Sequence, residues 1–166
     1  MDRFIYVIDA NVFIEAARRY YAFDIAPKFW DSLIQHAANG MIESIDRVLE
    51  PELNRGKDEL AKWANDNFSH AFCSTDEEDV IKCYREIMAW VQSQSQFNDA
   101  AKADFAKGAD GWLVAYAEAK GRVVVTQEVL RPDIRIRVPI PNVCEPFHIR
   151  CIDTFAMLRE LGVRFS

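Results

Sequence analysis

Short runs of apolar residues alternate along the chain with segments in which apolar residues recur every three or four positions. The runs at residues 4–8, 41–45 and 122–126 are rich in residues that favour β-structure, which predicts three strands. Shorter runs at residues 71–74 and near 149–152 predict two more. Because the strands show little polar alternation, we expect them to be buried on both faces.

The segments between these runs have the spacing of helices. Pro27 and Gly40 bracket one of them, in the places that proline and glycine favour at helix ends. Thr75, with Glu78 three residues later, predicts a capping box that opens a long helix reaching about Ser93. Helices are expected over residues 12–19, 27–39, 48–55, 57–67, 75–93, 99–107, 110–119 and 153–161.

This alternation of strands and helices predicts an α/β fold with a parallel central sheet covered on both faces. The 166 residues suit one domain over residues 1–166. In sheets of this kind the functional crevice lies outside the carboxyl ends of the strands. Acidic residues that follow the predicted strands are therefore the first candidates for function.

Asp9 is the clearest of these candidates, because it follows the apolar run Phe4 to Ile8 directly. A carboxylate buried at the end of a strand is costly unless something pairs with it. Asp9 is therefore expected to cap a helix, to hold a metal ion or to act as a nucleophile.

Three more acids stand at comparable places, each with a simpler interpretation. Glu52 follows the second strand and competes with Glu50 for the same position, since Pro51 predicts a kink or a late helix start there. Asp110 opens a helix, where an N-cap is the alternative role. Glu128 follows the strand at 122–126, where a solvated surface carboxylate is the alternative.

Composition excludes several other kinds of site. The net charge is −6, with the acidic excess in residues 1–119 and a net positive charge in residues 120–166, unlike a protein that coats nucleic acid by charge alone. The four cysteines form no C-x-x-C pair, and the three histidines are far apart in sequence. We therefore expect reduced thiols in a cytoplasmic protein, with no signal peptide and no membrane span.

Four carboxylates at one rim would repel one another without a counter-charge. Oxygen ligands suit Mg²⁺ or Mn²⁺, whereas a zinc site would be expected to contain clustered His and Cys. A pair of such ions can activate water and stabilise the leaving oxygen of a phosphodiester.

The order and spacing of these segments resemble those of PIN-domain nucleases, a family that includes the VapC-like toxin ribonucleases of bacterial toxin–antitoxin pairs. The matching segments are IDANVFI, the Glu52-Leu53 pair, GADGWLVAYA and VVVTQE. A bacterial PIN-like subgroup is the nearest match, through Tyr20-Tyr21-x-Phe23, Pro27-x-Phe29-Trp30, Ile140-Pro141-x-x-Cys144 and CIDTFAMLRELG. The resemblance covers nearly the whole chain.

The resemblance implies a PIN-like three-layer α/β/α sandwich with about five parallel strands, and an endoribonuclease that depends on Mg²⁺ or Mn²⁺. The residues that match the family's acidic positions, and would hold metal and carry catalysis, are Asp9, Glu52, Asp110 and Glu128. Glu128 stands where the family more often has Asp, which leaves open whether one or two metals bind. Asn11 and Thr126 match supporting positions. The implied partners are an RNA substrate, an antitoxin protein and a second copy of the chain.

Two other functions remain open at this stage. A haloacid-dehalogenase-like phosphatase also begins with a strand ending in Asp, but its chemistry needs a second Asp where this chain has Asn11. A catalytically degenerate PIN-like protein that only binds a partner is the second alternative, because Glu replaces Asp at position 128.

Overall fold

A five-stranded sheet, parallel throughout, forms the centre of the computed structural model, which describes residues 3–165. The strand order is β3-β2-β1-β4-β5. The strands are β1 (Tyr6–Ile8), β2 (Ile42–Ile45), β3 (Phe72–Cys73), β4 (Val123–Val125) and β5 (Cys151–Ile152). The predicted parallel α/β sandwich is therefore confirmed, and all five strands lie within or close to the predicted runs.

Helices flank the sheet and connect its strands. They are α1 (Ala10–Glu15), α2 (Pro27–Ala38), α3 (Glu59–Trp63), α4 (Glu78–Ser93), α5 (Asp99–Lys107), α6 (Asp110–Lys120), α7 (Ile140–Cys144) and α8 (Thr154–Glu160). Wider helical turns extend α1 through Ala16–Tyr20 and α3 through Ala64–Phe68, and form the separate segment Val48–Leu53. Helix α7 was not predicted, because its short sequence IPNVC contains no helical repeat and begins among prolines.

The predicted capping box at the start of α4 is wrong. Helix α4 begins at Glu78, after an N-cap residue, Glu77, whose side chain makes no capping bond. Thr75 instead donates its hydroxyl to Asp46 Oδ1 at 2.9 Å and its backbone N–H to Asp46 Oδ2 at 3.1 Å. Asp46 and Thr75 follow the neighbouring strands β2 and β3, so the sheet brings them together and the tertiary hydrogen bonds replace the local one.

The core on one side of the sheet is built from aromatic rings. Phe13 of α1 is fully buried and lies 6.2 Å from Trp63, 5.6 Å from Phe68 and 6.0 Å from Phe72, measured between ring centroids. Trp30 of α2 packs edge-on against Trp63 at 4.8 Å. Trp30 and Trp63 are thus core residues, and this packing fixes α1 immediately after Asp9.

The aromatic motif between α1 and α2 also has a structural role. Tyr21 stacks on Phe29 at 4.4 Å and Phe23 on Trp30 at 4.1 Å. The Trp30 indole N–H donates to the Tyr21 carbonyl at 2.6 Å. These contacts join the end of the first helical segment to α2.

No helix within residues 3–165 is both long enough and apolar enough to cross a membrane.

Replacing Phe13 with alanine should destabilise the protein strongly, because the side chain is fully buried and its loss leaves a cavity among three other rings. We expect Phe13→Ala to lower the free energy of unfolding by about 3–5 kcal/mol. Ile25→Ala, at a side chain that is 77% exposed, should change it by less than about 0.5 kcal/mol. Urea unfolding of both variants measures the difference, and equal losses would contradict this description of the core.

Candidate metal centre at the carboxyl edge of the sheet

Asp9 lies at the end of β1 and is almost fully buried, with 2% of its surface exposed. It occupies the N-cap position of α1, yet its side chain makes no capping hydrogen bond. Elsewhere in the chain, Asp58, Asn98 and Asp153 each accept a backbone N–H in the usual capping geometry. The capping interpretation of Asp9 is therefore not supported, because its carboxylate bonds no backbone N–H at the start of α1.

The side chain of Asp9 instead meets Thr126, which follows the adjacent strand β4. Ile8 and Val125 are paired in the parallel register of β1 and β4, so the next residue of each strand reaches the same edge. The Thr126 hydroxyl donates to Asp9 Oδ2 at 2.9 Å, and both residues are buried. This bond fixes Oδ2 of Asp9, so the other carboxylate oxygen stays available at the carboxyl edge of the sheet.

Glu128 is held two residues beyond Thr126. Its backbone N–H donates to the Thr126 hydroxyl oxygen at 3.1 Å, which turns the chain back over the strand end. Its Oε1 accepts from the Ile140 N–H at 3.2 Å and from Arg137 Nη2 at 3.0 Å. Its Oε2 is buried and has no hydrogen-bond partner in residues 3–165. A buried carboxylate oxygen without a donor is unfavourable unless a cation or water reaches it.

Asp110 and Glu52 reach the cluster from the other side. Asp110 is the first residue of α6, while the N-cap position belongs to Ala109, so the alternative role of Asp110 as an N-cap is not the one the structure has. The Ala109 N–H points at Glu52 Oε1 across 3.4 Å. Gly111 lets the start of α6 pack closely against α4 and α5, because a Cβ there would lie 3.2 Å from ring atoms of both Tyr84 and Phe105.

The structure also distinguishes Glu52 from Glu50. The predicted kink is present, since Glu50 has φ −120° and ψ 117° inside an otherwise helical segment. Glu50 is exposed and accepts a hydrogen bond from Asn54 at 2.7 Å. Glu52 is the residue whose charge acts on Asp9 and Asp110. The structure thus places Glu52, and not Glu50, with the other three acids.

The charges of the four carboxylates act on one another. Burial raises the pKa of Asp9 well above its usual range, and the charges of Asp110 and Glu128 raise it further. Burial, together with Glu128 and Glu52, raises the pKa of Asp110 to about 7. Burial also raises the pKa of Glu128, although the Ile140 N–H and Arg137 oppose that rise. Arg137 opposes the rise in pKa at Asp110 and Glu128 without cancelling it, so the cluster holds more negative charge than this one arginine balances.

The donor set fits a hard divalent cation by its chemistry. All four side chains offer oxygen, the ligand atom that Mg²⁺ and Mn²⁺ prefer. The unpartnered Glu128 Oε2 is a further sign that a cation belongs here. No group of three or more Asp, Glu, His or Cys side chains in residues 3–165 is positioned to hold a metal ion. Mg²⁺ commonly uses one or two carboxylates together with water and substrate oxygens, so a site with fewer than three protein ligands is compatible with it.

The supporting residue Asn11 lies in the first turn of α1 and is exposed. It lines an open groove of about 490 Å³ whose walls also include Glu128, Arg131 and Arg137. One side of the acidic cluster therefore opens to solvent through a groove that carries positive charge.

Sequence reasoning missed two contributions to the site. Arg137 pairs with Glu128, a contact that was not predicted. The Ile140 backbone N–H, at the start of the unpredicted helix α7, bonds the same carboxylate. The positive run from Arg131 to Arg137 was a visible signal for the first contact, but nothing in the sequence indicates the second.

Comparisons with known proteins agree with this architecture. A family model described as "Domain of unknown function (DUF4411)" matches residues 6–165. VapBC2 from Rickettsia felis, solved bound to a DNA fragment from its promoter, superposes with a TM-score of 0.53 at 15% identity, covering 90% of this chain and 98% of that one. FitAcB from Neisseria gonorrhoeae superposes with a TM-score of 0.51 at 16% identity, covering 89% of this chain and 96% of that one. No curated protein sequence matches this chain. The fold is PIN-like.

The raised pKa of Asp110 predicts how the stability of the metal-free protein depends on pH. The folded state holds this proton up to about pH 7, whereas an unfolded Asp loses it near pH 4, so the stabilising contribution is present below pH 4 and is lost as the pH rises to about 7. Partial exposure reduces the effect, which we expect to be on the order of 2 kcal/mol.

Asp110→Asn should remove this contribution to the pH dependence. In EDTA, we expect the variant to melt higher than the wild type at pH 7.5 and to lose less stability between pH 5 and 7.5. Asp133→Asn, at an exposed loop position, is the matched control and should follow the wild type. Thermal melts at both pH values measure this. Identical pH profiles for Asp110→Asn and the wild type would show that Asp110 is not in a repulsive cluster.

Proposed function

The chain belongs to the DUF4411 family, a PIN-like family, and we propose that it is a metal-dependent endoribonuclease. The observation that carries the proposal is the convergence of Asp9, Glu52, Asp110 and Glu128 on one edge of the sheet with too little positive charge to balance them. Such a cluster suits the hydrolysis of a phosphodiester, in which divalent ions balance the charge of both protein and substrate.

Mg²⁺ or Mn²⁺ is the proposed cofactor, with Asp9, Glu52, Asp110 and Glu128 as its ligands. When bound, the ion supplies Lewis-acid activation of the phosphodiester and neutralises developing negative charge. The chain's own residues prepare the site. Thr126 fixes one oxygen of Asp9, and Arg137 and the Ile140 N–H hold one oxygen of Glu128, so each acid keeps a second oxygen for other contacts.

A toxin role is the more specific part of the proposal. VapBC2 and FitAcB are toxin–antitoxin complexes, and this chain shares their fold over about nine-tenths of its length. By analogy, an antitoxin protein is the proposed partner and RNA the proposed substrate. Both are carried over from likeness of fold.

A protein-binding role without catalysis is the second candidate. The pairing of Arg137 with Glu128 favours it, because an internal cation already satisfies part of one acid. The remaining three acids have no ion pair with a Lys or Arg in residues 3–165, and on this ground the nuclease is the better-supported proposal.

Cleavage of single-stranded RNA should require Mg²⁺ or Mn²⁺ and should stop on addition of EDTA. We expect Asp9→Asn and Glu52→Gln to lose activity by orders of magnitude, because each removes a charge that binds metal while keeping the side-chain shape. Glu50→Gln is the matched control: it changes an exposed acid two residues from Glu52 whose carboxylate bonds Asn54, and it should not lower the activity. Gel analysis of a labelled RNA gives the rates. Full activity of Asp9→Asn, or equal losses for both Glu variants, would contradict the assignment.

Metal binding should also stabilise the fold independently of catalysis. An ion that binds only the folded state adds about 2.7 kcal/mol at a hundredfold excess over Kd, which raises Tm by roughly 5–10 °C in a domain of this size. Asp110→Asn should lose most of the rise seen with millimolar Mn²⁺, whereas Asp133→Asn should keep it. A wild-type Tm that does not respond to Mn²⁺ would show that the acids hold no metal.

A further inference from the structure

The side chain of Arg47 is held in place on an aromatic stack beside the acidic cluster. Its guanidinium carbon lies 4.1 Å from the centroid of the Trp112 ring. The other face of Trp112 is covered by Tyr84, whose ring is parallel to it within 4° at a centroid distance of 3.8 Å. Two groups cannot occupy the same space above one ring, so Arg47 and Tyr84 lie on opposite faces. Trp112 therefore supports Arg47 and has no free face for a nucleobase.

A hydrogen bond adds a second constraint on Arg47. Its Nε donates to the Thr75 hydroxyl oxygen at 3.1 Å. Thr75 is itself fixed, because its hydroxyl and its backbone N–H both donate to Asp46. The guanidinium is thus oriented by the Trp112 ring beneath it and by the hydrogen bond from its Nε to Thr75. A planar donor group held in this way loses little conformational entropy when it binds an anion.

The two terminal nitrogens of Arg47 remain available. In residues 3–165, no hydrogen bond or ion pair engages either Nη atom, and the residue is exposed. Two free, parallel N–H groups on an oriented guanidinium match the geometry of a phosphate.

The surroundings of Arg47 connect it to the proposed active site. Arg47 lines an open groove of about 580 Å³ together with Glu52 and Ala109, the residue that precedes Asp110. Arg55 and Lys107 line the same groove, and neither forms an ion pair within the described chain. Glu50 and Asp104 also line it, so charge alone does not make this an anion site. The fixed orientation of the Arg47 guanidinium is what makes the groove suited to an anion.

We propose that Arg47, held by Trp112 and Thr75, binds a backbone phosphate of the RNA strand that enters the acidic cluster along this groove. The inference rests on the proposed ribonuclease function and adds a phosphate-binding site to it. Arg47 would position the strand and take no part in the reaction. The other groove, beside Asn11, is less suited to this role. Arg19 and Arg137 are already paired there with Glu15 and Glu128. Within residues 3–165, the side chain of Arg131, the third arginine of that groove, makes no hydrogen bond or ring contact that would orient it.

The test is the binding of a fluorescein-labelled single-stranded RNA of about ten nucleotides, followed by anisotropy in millimolar Mg²⁺. The full chain carries Asp9→Asn throughout so that the probe stays intact. Adding Arg47→Met, which keeps the stem of the side chain on Trp112, should weaken binding about tenfold, the effect of one lost charge-assisted contact. It should also reduce the slope of log K against log [salt] by about 0.7, the value for one phosphate on a single strand.

Two further variants make the result specific. Arg159→Met removes an exposed arginine of α8, next to Glu160, which bonds Tyr6 at the opposite edge of the sheet. It should leave both affinity and salt slope unchanged. Arg47→Lys keeps the charge but not the planar fork, and it should still weaken binding severalfold. Unchanged binding by both Arg47 variants, equal weakening by Arg159→Met, or no RNA binding by the Asp9→Asn parent would overturn the proposal.

Cleavage assays on the same arginine variants, with Asp9 restored, separate this inference from the proposed function. A wild-type protein that cuts RNA, together with Arg47 variants that bind and cut equally well, would overturn the phosphate site and leave the nuclease standing. RNA binding that depends on Arg47, in a protein that does not cut with either metal, would support the phosphate site and overturn the nuclease.

Discussion

The hydrogen bond from Thr126 to Asp9 joins the ends of the two central strands and holds a carboxylate where water is almost excluded. It exists because β1 and β4 pair in parallel with Ile8 opposite Val125, so the residue after each strand arrives at the same edge. The fully buried core around Phe13 fixes the helix that follows Asp9. The packed core thus holds in place the buried carboxylate of Asp9, whose charge by itself would destabilise the folded state.

The acids at this edge are not equivalent. Glu128 has an arginine and a backbone N–H on one oxygen, and Glu52 has a backbone N–H at longer range. Asp110 has no such compensation from hydrogen bonds, and its pKa rises to about 7. A cation would therefore bind most favourably to Asp9 and Asp110, because burial and repulsion from neighbouring carboxylates destabilise the charged forms of these two acids most. This asymmetry favours one strong ion site over two equal ones.

The sequence predicted well what depends on local pattern and on the geometry of parallel sheets. Asp9 and Glu128 could be placed at one rim because every parallel strand ends on the same side, and Glu52 could be reduced to a choice with Glu50 by the proline between them. The capping box at Thr75 failed because Asp46, 29 residues earlier in the chain, provides a better partner across the sheet. Arg47 escaped notice for the same reason, since Trp112 and Thr75 approach it only in the fold. Contacts between distant segments leave no periodic signal in a sequence.

A crystal soaked in Mn²⁺, with anomalous scattering recorded at the manganese edge, measures the central claim most directly. The claim is that one cation occupies the edge of the sheet between Asp9 and Asp110, within reach of Glu52 and Glu128. The predicted result is an anomalous peak with carboxylate oxygens of Asp9 and Asp110 at about 2.0–2.2 Å, and its loss in a crystal of Asp9→Asn soaked in the same way. Manganese bound only elsewhere, with the four carboxylates turned to solvent or to protein donors, would contradict the account.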